Sequence, residues 1–140
     1  MTERPALLWF RDDLRLSDNP ALRAAIERGP LICLYILDTS PDRRPLGGAA
    51  RWWLSRSLTA LSDAIAAKGG ELLILRGDPA ELLPRIVREA DIGYVAWSRR
   101  YDAAAIELDK SLKATLTDSG IEVESFNANL LNEPWQVTTK

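Results

Sequence analysis

Histidine is absent from all 140 residues, and cysteine occurs once, as Cys33. Without an imidazole there is no Ser-His-Asp triad, no Cys-His dyad and no His-containing zinc site. A lone thiol forms no internal disulfide, and Cys33 lies inside an apolar run, where it reads as a packed side chain. Long hydrophobic runs are lacking too. The apolar stretches fall far short of a membrane span, and Met1 to Pro5 is too short and polar for a signal peptide. The expectation is a soluble, cytoplasmic protein with no membrane partner. An excess of positive charge is also missing, since 18 Lys and Arg stand against 20 Asp and Glu, for a net charge of −2. A free-standing nucleic-acid binder is usually basic, so this chain alone is expected to hold DNA weakly if at all. Neither G-x-G-x-x-G after the first apolar run nor G-x-x-x-x-G-K-S/T occurs, which removes the dinucleotide fingerprint and the P-loop. Gly47-Gly48 then reads as a turn, and no His or Cys cluster supports a metal site.

What is present is an apolar fraction of 46%, enough for the core of one domain. Five short β-rich runs alternate with four helical patterns. The runs are Ala6 to Phe10, Leu31 to Leu37, Leu72 to Leu75, Ile92 to Trp97 and Ile121 to Phe126. Being near-continuous rather than alternating, they suit strands buried on both faces of a parallel sheet. Asn19 and Pro20 read as the cap and first residue of one helix, which Gly29-Pro30 ends. Leu54, Leu58, Leu61 and Ile65 stripe a second helix closed by Gly69-Gly70. Asp78, Pro79 and Glu81 open a third, in which Pro84 is expected to kink the helix or shorten its first turn. Ala105, Leu108, Leu112 and Leu116 stripe a fourth, with Asp102 as its cap. Strand and helix in alternation predict a three-layer α/β/α domain on a five-stranded parallel, Rossmann-like sheet, for which the strand order 3-2-1-4-5 is expected. The pattern stops after Phe126.

Open parallel sheets bind ligands outside the carboxyl ends of their strands, where the strand order reverses. The residues just past those ends are Arg11-Asp12-Asp13, then Asp38 and Arg51, then Arg76-Gly77-Asp78, then Ser98 to Asp102. Guanidinium and carboxylate groups thus gather on one rim beside Trp9, Trp97 and Tyr101. Such a rim suits a flat, polar ligand held by stacking and forked hydrogen bonds. A plainer reading is that these arginines and aspartates neutralise one another around helix N-termini. Nothing on the rim forms a complete catalytic constellation. Five tryptophans are many for this length. Trp52 and Trp53 are adjacent on a helix, point about 100° apart and cannot share a face, so one is expected in the core and the other at a surface or interface.

The stretch Trp9-Phe10-Arg11-Asp12-Asp13-Leu14-Arg15-Leu16-Ser17-Asp18-Asn19-Pro20-Ala21-Leu22 resembles the opening signature of DNA photolyases and cryptochromes. Tyr35 to Asp38, Arg51-Trp52-Trp53-Leu54 with Ser57-Leu58, Arg76-Gly77-Asp78-Pro79 and Trp97 to Asp102 agree in order. So does the tail Ser125-Phe126-Asn127, Leu130-Leu131, Glu133-Pro134-Trp135. The resemblance implies that residues 1–126 are the family's α/β domain and that 127–140 begin a linker to a C-terminal helical domain. That further domain would hold FAD and contact damaged DNA, and the full-length enzyme would split pyrimidine dimers with blue light. The α/β domain would carry an antenna chromophore, which passes excitation to the flavin, and would dock on the FAD domain. Family antennas are a deazaflavin, a folate, a flavin, or none. Some folate-binding members use an Asn-Glu pair where this chain has Ala104-Ala105, which favours deazaflavin or flavin. The implied chromophore contacts are Arg11, Asp38, Arg51, Arg99, Tyr101 and Asp102, with no catalytic and no metal-binding residue assigned. Two alternatives stand beside this reading: a cryptochrome-like photoreceptor, and a structural domain with an empty antenna cleft.

Overall fold

A computed structural model describes residues 4–11, 14, 16, 19–39, 47–100 and 103–126. The element order is β1 (Ala6–Phe10), α1 (Pro20–Ile26), β2 (Leu31–Asp38), α2 (Gly48–Ala67), β3 (Leu72–Gly77), α3 (Pro79–Glu89), β4 (Tyr94–Ser98), α4 (Ala103–Asp118) and β5 (Glu122–Phe126). All neighbouring strands are parallel, in the expected order β3-β2-β1-β4-β5. Two core layers flank the sheet. One joins Leu7, Trp9, Leu34, Val95 and Trp97 to Leu83 and Val87 of α3 and to Leu112 and Leu116 of α4. The other joins Leu8, Phe10, Cys33 and Ala96 to Ala21 and Ala25 of α1 and to Leu61 and Ile65 of α2. Successive side chains of each strand alternate between these layers, as a pleated strand requires.

Local chemistry explains the element ends. The Asn19 side chain accepts from the Leu22 N–H at 3.1 Å, and Asp78 accepts from the Ala80 N–H at 3.0 Å, each with proline as the next residue. Both caps satisfy a donor that a helix start leaves open. The expected cap Asp102 and the segment 127–140 lie outside the described residues. Gly77, with φ of +150°, closes β3 where a Cβ would meet the Leu82 side chain at 2.9 Å. Arg28 stacks over the Tyr94 ring at 4.7 Å and forks onto Glu122 at 2.5 and 2.7 Å, which ties the end of α1 to β4 and β5.

Three expectations are corrected. α3 is helical from Pro79 to Glu89, so Pro84 does not shorten its first turn; the proline removes one N–H and leaves the Ala80 carbonyl without its helical partner. β3 is not buried on both faces: Leu73 and Ile74 are 42% and 50% exposed on this edge strand. Neither Trp52 nor Trp53 enters the core; they are 55% and 66% exposed and contact each other edge-to-face at 5.5 Å. The stripe of Leu54, Leu58, Leu61 and Ile65 sets the inner face of α2, and the two indoles fall to its sides.

Candidate functional site: a cavity at the strand ends

α2 meets the sheet along half its length. Leu61 and Ile65 in its C-terminal half are buried against Cys33 and Leu72. Leu58 packs at the edge of that layer, and together with Leu54, earlier in the same stripe, it lines a cavity of about 770 Å³. Tyr35 and Ile74 form the opposing wall, and the half-exposed state of Ile74 follows from this gap. The cavity reaches from there past the carboxyl ends of β2 and β3 to Trp9, Arg11, Arg100 and Leu108. It therefore extends to the place between β1 and β4 where the strand order reverses, the position where open α/β sheets take ligands.

At that reversal the floor is closed by an ion pair. Arg11 is 6% exposed, and its guanidinium forks onto the Asp109 carboxylate of α4 at 2.5 and 3.0 Å while also donating to the Ser98 carbonyl at the end of β4. Its Cζ lies 4.8 Å from the Trp9 ring centroid and 5.9 Å from that of Trp97, and the two indoles meet edge-to-face at 5.5 Å. Cation, carboxylate and two aromatic faces lock β1, β4 and α4 together under the cavity. The Trp9 and Trp97 indole N–H groups are buried without a hydrogen-bond partner.

The walls divide by chemistry. Trp9, Tyr35, Ile36, Leu54, Leu58 and Ile74 supply aromatic and aliphatic surface. Ser55, Thr59 and Ser62, spaced four and three residues apart on α2, supply a row of hydroxyls, with Asp63 beside them. Arg51, Arg76 and Arg100 add guanidinium groups and Asp38 a carboxylate. α2 begins at Gly47 without a side-chain cap and has no acidic residue in its first turn, so the positive end of its dipole adds to the arginines. This combination of apolar walls and a few convergent polar groups is what encloses a planar, polar-edged ligand.

Of the residues expected at the site, the structure brings Arg11, Asp38 and Arg51 to one cavity. Arg99 turns to β5, where its Nε donates to the Ser125 hydroxyl at 3.0 Å and its Nη2 to the Ser125 carbonyl at 3.1 Å; the neighbouring Arg100 lines the cavity. Tyr101 and Asp102 lie outside the described residues. Asp109 and the hydroxyl row of α2 escaped the sequence reading. Asp109 had a signal: it falls four residues after Ala105 and three before Leu112, inside the apolar stripe of α4, where an isolated carboxylate needs a partner.

The model of the family described as DNA photolyase matches residues 6–140. A deoxyribodipyrimidine photo-lyase of Agrobacterium fabrum is 47% identical over 137 residues, covering 97% of this chain and 28% of that protein. Cryptochrome-1 of Arabidopsis thaliana is 38% identical over 135 residues, covering 95% of this chain and 20% of that protein. A crystal structure of a bacterial class III photolyase from Agrobacterium tumefaciens superposes with a TM-score of 0.92 at 45% identity, over 100% of this chain and 29% of that one. The chain thus spans under a third of the length of these relatives. Five parallel strands in the order 3-2-1-4-5, a cavity at their carboxyl ends and these matches agree: the chain belongs to the DNA photolyase family, as its N-terminal α/β domain.

Proposed function

We propose that this domain harvests light for a DNA photolyase, and that the cavity between α2 and the strand ends holds its antenna chromophore. The cavity itself carries the reading. Its volume of about 770 Å³ suits a ligand of several fused rings, and its walls match such a ligand part by part. Trp9 and Tyr35 offer aromatic surface to a ring system, Leu54 and Leu58 exclude water from it, and Asp38, Arg51 and Arg100 orient its polar edges. Arg11, held by Asp109, keeps the floor rigid. Arg99 fastens the β4–β5 rim, and Tyr101 and Asp102 are further proposed chromophore contacts on the strength of the family resemblance. Deazaflavin and flavin are favoured over folate, because Ala104 and Ala105 stand where a folate-binding Asn-Glu pair would be. When bound, the chromophore supplies near-ultraviolet or blue absorption and excitation energy for a flavin in another domain. Dimer splitting, FAD binding and contact with damaged DNA belong in this proposal to the full-length protein. A cryptochrome-like photoreceptor is the second reading; the higher identity to the photo-lyase, 47% against 38%, favours the repair enzyme.

Titration of the chain with 8-hydroxydeazaflavin, FMN and 5,10-methenyltetrahydrofolate, followed by absorption and fluorescence, tests the chromophore reading. Near-stoichiometric binding with a shifted band is expected for one of them. No spectral change with any of the three would replace this reading with that of a structural docking domain.

A further inference from the structure

We infer that the ligand of this cavity carries an anionic tail, a phosphate monoester or carboxylate appended to its ring system, and that Arg51 and Arg76 read it. This inference rests on the chromophore reading and narrows it. Arg51 stands in the first turn of α2 and Arg76 near the end of β3, two separate elements that bring their guanidinium groups to the same cavity. Among the described residues neither makes a hydrogen bond or ion pair. Most other described arginines are engaged: Arg4 with Asp91, Arg11 with Asp109, Arg28 with Glu122, Arg85 with Glu89 and Arg99 with Ser125. Arg23 and Arg88 are also unpaired, but each stands on an exposed helix surface, where a solvated arginine needs no ligand. Convergence on a cavity is what sets Arg51 and Arg76 apart.

Asp38 and Asp63 line the same space and yet neither pairs with Arg51 or Arg76. A planar fork of donors suits the oxygens of a phosphate or carboxylate and has no counterpart on an uncharged polyol chain. The apolar wall and the hydroxyl row of α2 then take the ring and its linker, and the two arginines take the charged end.

Two ligand pairs that differ in the charge of their tails test this: FMN against riboflavin, and 8-hydroxydeazaflavin 5′-phosphate against 8-hydroxydeazaflavin with its uncharged ribityl chain. Equilibrium titrations of the 140-residue chain give a dissociation-constant ratio within each pair. The charged member is expected to bind about tenfold or more tightly in at least one pair, since a charge-assisted fork is worth at least about 1.4 kcal/mol. Arg51→Gln and Arg76→Gln each reduce that ratio, the double variant brings it near one, and added salt compresses it in the unmodified chain. Arg56→Gln serves as the control, because Arg56 stacks on the exposed Trp52 at 4.7 Å and lies off the cavity wall. Circular dichroism and urea midpoints verify that every variant is folded. Equal affinity within both pairs overturns the inference and leaves the chromophore reading standing. A ratio that survives in the double variant overturns the assignment to Arg51 and Arg76. Failure of all four compounds to bind overturns this inference together with the deazaflavin-or-flavin reading it rests on, a result distinct from binding without discrimination.

Discussion

Cys33 is the chain's only thiol and is 4% exposed in the middle of β2, between the sheet and α2. Burial pushes its ionisation up from 9.0 to about 11, because a thiolate there would sit in an apolar layer. The folded chain therefore keeps a proton that the unfolded chain gives up near pH 9. Between about pH 9 and about 11 the unfolded state binds fewer protons, so stability falls as pH rises. The contribution is fully present below that window and lost above it. Urea unfolding across this range is expected to show the decline, and Cys33→Ala is expected to flatten it. The buried Tyr94 hydroxyl, also shifted upward by burial, adds a decline of the same sign at higher pH. Residues of this kind were partly legible in the sequence. Cys33 within an apolar run, and Asn19 and Asp78 before prolines, have roles set by their immediate neighbours. Arg11 and Asp109 were not legible as a pair, because 98 positions separate them and only the packing of α4 beside β1 and β4 joins them.

Between elements, the Arg11–Asp109 pair decides whether the floor of the cavity holds. Its side chains are 4% and 16% exposed, so neither charge is well solvated. Removing one partner leaves a buried charge uncompensated, which costs about 3–5 kcal/mol, whereas replacing both with apolar groups of similar volume is far milder. Asp109→Asn is therefore expected to lower the urea midpoint sharply, and the Arg11→Met, Asp109→Leu double variant to recover most of the loss. A midpoint unchanged by Asp109→Asn would show that the pair adds nothing to the rigidity of the floor. The plainer sequence reading, in which arginines and aspartates on the rim neutralise one another, thus describes Arg11 and does not describe Arg51 or Arg76. Element type and order were readable from apolar spacing and turn residues. What spacing could not supply was the gap under the N-terminal half of α2, since Leu54 and Leu58 continue the same stripe as Leu61 and Ile65. A periodic stripe says which face points inward and is silent on whether the sheet meets it.

At the scale of the molecule, the tryptophans among the described residues divide into two populations. Trp9 and Trp97 are 2% and 0% exposed and form the inner pair over Arg11, while Trp52 and Trp53 stand outside on α2. Trp97→Ala is expected to cost about 3–5 kcal/mol through the void it leaves. Trp52→Ser and Trp53→Ser are each expected to stay within about 1 kcal/mol of the parent. Iodide quenching of fluorescence should reach the second pair and miss the first. Among the described residues no helix is long and apolar enough to cross a membrane.

By itself the sequence determined the class of fold, the succession of strands and helices along the chain, the helix caps and the family. These follow from local rules: apolar periodicity, the geometry of proline and glycine, and motifs whose residues lie close together in the chain. Only the tertiary structure decided which rim residues share a cavity, that Arg99 turns to β5 while Arg100 lines the cavity wall, and that both Trp52 and Trp53 face outward. The physical reason is that a cavity is a failure of two surfaces to meet. Its existence depends on the distance between α2 and the sheet, and no residue, stripe or motif carries that distance on its own.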